Sequence, residues 1–503
     1  MRIEKDVEVP GRHGAIAADV FRPDGDEPVP VIAGISPYGK DVHWPDRFPL
    51  YDLVEPGEHM VWETPDPEWW TDRGYAVVRA DARGTGMTPG RLDPFSPADA
   101  EDFYDLVEWC GTQPWSTGKV ASSGISWYAM IGWRVAALQP PHLAALVAWE
   151  GLTDFYRDWA RQGGLFSNGF TQFWWQTQVE PQRTTADVAD WAGEMRRREL
   201  DDAWYRERST DLSRVEVPLL SVGNWGAVHL HLRGNLEGWA GAASEHKWLV
   251  VHTGTHIDPF YSERGKELQL RFLDRFLKGV EDATDGLPPV RLAVRRGREV
   301  EWRDEHEWPL ARTSWRELYL GQGTLGWQLP ATGQTPYPGV FELVADELLE
   351  LTGPVALRLW VTSPQEDFDV VARLEQVDVD GQRIEPVGPQ GGLTPVPSAV
   401  GWLRASHRRL DRDRSTPYRP FHTHDGVEPL PVGEPTLLEV EIWPTSLTLR
   451  AGERLRLELR VDDADLRWPG WHTDPADHRP ARGVTVLVGG EHASHLLVPV
   501  IPA

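Results

Sequence analysis

The sequence predicts an α/β fold: a mostly parallel sheet, interrupted by a helical insertion and followed by an all-β sandwich, most simply a jelly roll. Over about the first 150 residues short apolar runs alternate with helical stretches, the rhythm of strands joined by right-handed crossovers. That rhythm stops between residues 156 and 214, a polar stretch rich in Trp, Arg and Gln, and resumes at Val217. Beyond about residue 284 the period changes to two, as in Val355-Ala-Leu-Arg-Leu-Trp-Val361 and Arg454-Leu-Arg-Leu-Glu-Leu-Arg-Val461.

Taken in order, Val29 to Ile35 and Tyr75 to Ala80 read as short buried strands, and Glu101 to Cys110 as a helix with Phe103, Leu106, Val107 and Cys110 on one face. A strand at Lys119-Val-Ala leads to a turn at Ser126, a helical run from Ile131 to Leu138 and a buried strand from Leu143 to Trp149. Val217 to Val222 and Lys247 to His252 are the next strands. The helix from Ser262 to Lys278 carries Leu268, Phe272, Phe276 and Leu277 on one face and ends at Gly279. The chain therefore divides into a first part of the α/β core over residues 1–155, a helical cap over 156–214, the second part of the core over 215–283, and a jelly roll over 284–503.

Composition excludes several classes. A net charge of -26, spread along the 503 residues, argues against nucleic acid and against anionic membrane surfaces. The charged N-terminus and the lack of a run of about 18 apolar residues predict a cytoplasmic protein with no membrane partner. Cys110 is the single cysteine, so there is no internal disulfide and no cysteine metal cluster. His229 and His231 have the His-x-His spacing of some metal sites but no third or fourth ligand beside them, so neither metal nor cofactor is expected. The partner is a small-molecule ester or amide, and homo-oligomerisation is left open. The 26 tryptophans serve core and domain contacts. Several of them flank the chemistry, as an aromatic acyl pocket would require.

The chemistry centres on Ser122-Ser-Gly-Ile-Ser-Trp-Tyr-Ala-Met130. A serine between strand and helix stands at the edge of a parallel sheet on a strained turn, and Gly124 and Ala129 supply the small neighbours such an elbow needs. The helix that starts there leaves backbone N–H groups facing a developing negative charge. Ser126 is thus the candidate nucleophile of an acyl transfer. Its base must come from late in the sheet, and Trp248-Leu-Val-Val-His-Thr-Gly-Thr-His256 ends in a loop after a strand, which nominates His256.

With these residues placed, the chain resembles the cocaine esterase (CocE/NonD) group of acyl hydrolases, relatives of the bacterial Xaa-Pro dipeptidyl-peptidases. The resemblance rests on Ser36-Pro-Tyr-Gly-Lys40, Arg73-Gly-Tyr-Ala-Val-Val-Arg-Ala-Asp-Ala-Arg-Gly-Thr-Gly86, Glu108-Trp-Cys-Gly-Thr-Gln-Pro-Trp115, Gly124-Ile-Ser-Trp-Tyr-Ala129 and Glu441-Ile-Trp-Pro-Thr-Ser446. It implies an α/β-hydrolase core, a helical cap and a C-terminal jelly roll beside the active site. It also implies that the Tyr38 hydroxyl and the Trp127 backbone N–H face the oxyanion. Asp81, Arg83 and Gly84 read as a structural turn.

The sequence departs from this group at one point. The catalytic aspartate usual shortly after a Gly-Gly-Trp is replaced here, where the stretch reads Gly223-Asn-Trp-Gly-Ala227. Glu150, which ends the strand Ala145-Leu-Val-Ala-Trp149, is the alternative acid, with Asp154 as runner-up and Asp258 too near His256 in sequence. Asn224 is able to orient the base but not to hold the charge. The expected function is a serine hydrolase that cleaves an ester or activated amide of a small, bulky or aromatic acyl compound through an acyl-enzyme. An Xaa-Pro dipeptidyl aminopeptidase is the nearest alternative and would need an anionic clamp, for which Glu180, Asp154 and Asp158 are the candidates. A non-catalytic carbohydrate-binding relic is the other.

Overall fold

The computed structural model describes residues 1–47, 54–387, 396–465 and 472–502. The core sheet is built from β1 (Arg2–Val9), β2 (Ile16–Arg22), β3 (Val29–Ser36), β4 (Ala76–Asp81), β5 (Ser116–Ile125), β6 (Leu143–Trp149), β7 (Leu219–Asn224), β8 (Lys247–His252), β9 (Val290–Arg296) and β10 (Glu299–Glu305). Their order across the sheet is β1-β2-β4-β3-β5-β6-β7-β8-β9-β10, with the neighbours from β4 to β9 parallel and both ends antiparallel. The inner strands are apolar and buried on both faces, as a sheet covered by helices requires.

Local chemistry explains the covering helices. Pro97–Thr112 starts with Ser96 accepting from Asp99 N and with proline in its first turn. Trp127–Leu138 buries every residue but Leu138, because it runs across the sheet under the insertion, and ends at left-handed Gln139. This helix begins directly after Ser126, earlier than the apolar run from Ile131 indicates, because the elbow itself nucleates it.

Between β6 and β7 the chain is helical, with Asn168–Trp174, Trp191–Arg197 and Ala203–Arg206 joined by wider turns at Phe155–Ala160 and Trp175–Val179. Bridges from Thr85 to Arg183 and from Leu92 to Val188 tie this insertion to the core. The sheet continues past residue 283: β9 pairs in parallel with β8, Leu249 beside Val290, and its end pairs with Thr436–Leu449, Leu447 beside Arg295.

The C-terminal part is β-rich and forms two antiparallel layers. In one, Ser314–Leu320, His495–Ile501, Leu349–Thr362 and Thr436–Leu449 lie side by side. In the other, Ala399–Arg404, Asp369–Val377, Arg454–Arg460 and Gly339–Val344 do so. A core including Leu318, Leu357, Leu359, Val370, Leu374, Leu457 and Leu496 draws on both layers. Among the described residues no helix is long and apolar enough to cross a membrane.

Candidate active site

The carboxyl ends of the parallel strands carry the candidate residues, where open α/β sheets place their ligands. Register sets the spacing. Ile125 pairs with Trp149, Trp149 with Val222, and Asn224 with His252, so Ser126, Glu150, Asn224 and the His256 loop emerge on one edge of neighbouring strands.

Ser126 sits at φ 55° and ψ -112°, its N–H bonded to Trp149 O at 2.9 Å and its carbonyl accepting from Met130 N at 2.8 Å. That left-handed backbone lifts the side chain out of the strand. Gly124 allows it, since a Cβ there would lie 2.5 Å from Tyr128 Cβ and 2.9 Å from Glu63 O. Trp127 anchors the new helix by donating its indole N–H to Ile35 O at 3.0 Å. As the first helical residue, Trp127 has a backbone N–H with no acceptor in a preceding turn.

Glu150, fully buried, is also left-handed, at φ 47°. Its Oε2 lies 2.8 Å from His256 Nδ1, while Oε1 accepts from Asn224 Nδ2 at 3.1 Å and lies 3.2 Å from His252 Nε2. Burial alone would raise the Glu150 pKa, but the charge of His256 and the bonds to His252 and His256 outweigh it and hold the group at about 2. Asn224 therefore orients the acid, not the base. Its remaining contacts brace two loops, Gly254 O in the loop of the base and Gly226 N in the turn after β7. Ala227 is buried and its N–H bonds to Asn224 O.

The second nitrogen of His256 is taken by a residue that sequence reasoning passes over. Glu63 Oε1 lies 3.1 Å from His256 Nε2. Burial pushes His256 down, but the two carboxylates overcome it and raise the imidazole to about 10, and burial pushes Glu63 itself up. His231 stacks on His256, rings 5.2 Å apart and 8° from parallel. Among the described residues Ser126 Oγ has no hydrogen-bond partner. No periodicity or motif marks Glu63. It lies in the irregular segment Val61-Trp-Glu-Thr-Pro65, and the one local sign is its left-handed φ of 66°, which only coordinates reveal.

Tyr38, buried beside the elbow, accepts at its hydroxyl from Trp174 Nε1 at 3.0 Å. An indole N–H only donates, so the phenol keeps its own proton to give elsewhere. Trp174 in turn stacks on Trp127 at 5.6 Å, and Phe95, Trp159 and Trp191 pack around them. Arg47 bonds Tyr38 O and Gln178 Oε1 and lies over the Tyr38 ring.

The other residues singled out in the sequence lie in structural contacts. Asp81 accepts from Lys40 N and Met87 N, and Arg83 pairs with buried Asp102. Asp154 bonds Arg157 with both oxygens, Asp158 pairs with Arg233 at 2.8 Å, and Glu180 pairs with Arg183 at 2.7 Å. Asp258 starts the short helix after the base. Cys110 is buried, which raises its thiol pKa. The carboxylates Asp6, Asp19 and Asp41 converge, but on the ammonium groups of Lys5 and Lys40.

The profile of the X-Pro dipeptidyl-peptidase (S15 family) matches residues 14–258, and that of the X-Pro dipeptidyl-peptidase C-terminal non-catalytic domain matches residues 340–497. A cocaine esterase of Rhodococcus sp. is 27% identical over 76% of this chain and 81% of its own. A putative serine esterase of Mycobacterium bovis is 25% identical over 97% and 93%. The crystal structure of a CocE/NonD family hydrolase from Staphylococcus aureus superposes with a TM-score of 0.93 at 30% identity, covering 99% of this chain and 94% of that one. An elbow serine on a parallel sheet, a β-rich C-terminal part and full-length likeness to a solved hydrolase make this chain a member of the CocE/NonD family, a serine hydrolase of the α/β-hydrolase type.

Proposed function

We propose that the protein is an esterase for small, bulky or aromatic acyl compounds, able to take activated amides, and that its triad is Ser126, His256 and Glu150. The observation that carries this is the 2.8 Å contact between Glu150 Oε2 and His256 Nδ1 at the sheet edge that also bears the elbow serine. In this reading Ser126 Oγ attacks the acyl carbonyl carbon as His256 Nε2 takes its proton. The oxyanion is met by the Tyr38 hydroxyl and the Trp127 N–H. The leaving group departs with the proton from Nε2, and water, deprotonated by the same nitrogen, releases the acid. Glu150 fixes the imidazole tautomer and stabilises its charged form. The aromatic wall of Trp127, Trp174 and Phe95 supports a preference for flat or bulky acyl groups.

We assign residues 156–214 to a cap, the chain from 284 to a jelly roll, and the whole to the cytoplasm, working on small molecules without a cofactor. The carboxylates that could clamp a substrate ammonium in the dipeptidyl-peptidase alternative, Asp154, Asp158 and Glu180, are each paired with an arginine, which favours the esterase reading. Fluorophosphonate labelling tests the main reading. One site should be modified, and Ser126→Ala should abolish labelling and nearly all ester turnover with folding retained. Absence of labelling in the parent would instead favour a non-catalytic, carbohydrate-binding relic.

A further inference from the structure

Tyr38 stands under the helical insertion, which touches the Tyr38 loop at three points. Trp174 donates its indole N–H to the Tyr38 hydroxyl at 3.0 Å, and Gln178 Oε1 accepts from Arg47 Nη1 at 2.6 Å. Gln182 lies against Gly39, where a Cβ would come within 2.7 Å of its Oε1, and its carbonyl accepts from Gly86 N at 2.9 Å. Trp174, Gln178 and Gln182 are spaced by four residues, so one face of the helical run covers this loop. Gln178 and Tyr38 are both buried, which shields the contact from water and strengthens its electrostatics.

Arg47 connects that face to the phenol. Its Nη2 donates to the Tyr38 carbonyl, and its guanidinium lies over the Tyr38 ring, 5.4 Å from the centroid, where a cation is attracted to the π face. Both hydrogen-bond partners are neutral carbonyl oxygens, so neither cancels the charge that bears on the ring. Burial and the negative charge of Glu63 push the Tyr38 phenol up, while the Trp174 bond and the Arg47 charge pull it back. A cation held there draws electron density from the ring and makes its O–H a stronger donor to a developing oxyanion. Gln178 fixes the angle of that cation, because the two Nη atoms share one rigid plane.

We propose that Arg47 and Gln178 are positioning residues for the reaction: Arg47 holds and polarises the Tyr38 phenol, and Gln178 makes that hold depend on the docked insertion. The proposal rests on the reading of Tyr38 as an oxyanion donor and extends it by tying transition-state stabilisation to the helical insertion. The benefit falls in kcat and not in KM, because the oxyanion forms only as the reaction proceeds. An Arg47 that served the fold alone would change stability without any link to the phenol.

A double-mutant cycle with a neutral aryl ester as substrate tests this. Arg47→Met should lower kcat by about 10- to 100-fold, the range of a hydrogen bond to a charged group, with KM changed by no more than about threefold. In the Tyr38→Phe background the same substitution should cost less than about threefold. Arg47→Lys, which keeps the charge, should be at least about threefold faster than Arg47→Met. Gln178→Leu should lower kcat by about three- to tenfold, and by less than about twofold once Arg47→Met is present. Equal losses with and without the Tyr38 hydroxyl, a loss confined to KM, or a Lys variant no faster than the Met variant overturns the proposal. Should the Arg47 variants fail to fold, Gln178→Leu decides alone: its loss in kcat must vanish in the Tyr38→Phe background, and a loss that persists there overturns the proposal. Failure of the underlying reading has its own signature, a Tyr38→Phe enzyme that matches the parent in kcat, and that result sinks both.

Discussion

Removing the Tyr38 hydroxyl takes away one preorganised donor, and Tyr38→Phe should lower kcat by about 10²- to 10³-fold with little change in KM. Trp174→Phe keeps the stacking on Trp127 but frees the phenol to turn, so a smaller fall of about tenfold in kcat is expected, absent in the Tyr38→Phe background. Glu150→Gln should cost on the order of 10⁴-fold in kcat, whereas Asp154→Asn, remote in role because it serves Arg157, should not. The pH profile adds a sign. His256 must be neutral to accept a proton, and its elevated pKa of about 10 sets the rising limb of kcat/KM on the alkaline side. Either carboxylate favours the charged ring, so Glu63→Gln should move that limb to lower pH when a neutral ester is used; a limb that stays put would remove Glu63 from the base. At this scale the sequence names Ser126, His256 and Glu150 as candidates because each ends an apolar strand or follows one. Glu63 and His252 are not legible, since what brings them to the base is a loop path and a strand register that no local pattern encodes.

The elbow depends on its neighbours as much as on its serine. Gly124→Ala would add a Cβ within 2.5 Å of Tyr128 and force φ 155° on an alanine, so a loss of about 2 to 3 kcal/mol in unfolding free energy is expected, with activity falling further as Ser126 shifts. Chemical denaturation beside an ester assay checks both. The elements that sequence rhythm captures best are those with unbroken apolar runs, such as Leu143–Trp149 and Lys247–His252. β1 and β2 escape it because β1 is largely exposed and its alternation is masked by charge. β9 escapes because it looks like the period-two strands that follow, although it pairs with the parallel sheet.

Across the whole molecule, the helical insertion and the β-rich part meet through buried ions. Arg161 pairs with Asp477 at 2.9 Å, and Arg404, fully buried, pairs with Asp369 and Asp477, with Glu199 of the insertion on the same guanidinium. Asp477→Asn leaves Arg161 without a carboxylate in a dry site and should cost about 3 kcal/mol. Burial opposes ionisation of Asp477, but its bond and charge pairing with Arg404 prevail and hold its pKa far below the ordinary carboxylate value of about 3.9. A depressed pKa gives stability that is present above that ordinary value and lost as pH falls through the folded one. The melting temperature should therefore drop on acidification below about pH 4, and more shallowly in Asp477→Asn. Sequence alone gives the presence of both parts but not this seam, whose partners lie hundreds of residues apart.

β9 belongs to both parts at once: one end is hydrogen-bonded into the core sheet beside Leu249, the other to Leu447 of the β-rich layers. Mechanically it is a shared spar. Pulling the two parts away from each other loads those ladders together, instead of bending a linker. For the same reason a protease cut or an engineered fusion placed between residues 290 and 296 would split the spar and unfold both halves, and the intact chain should melt in one transition.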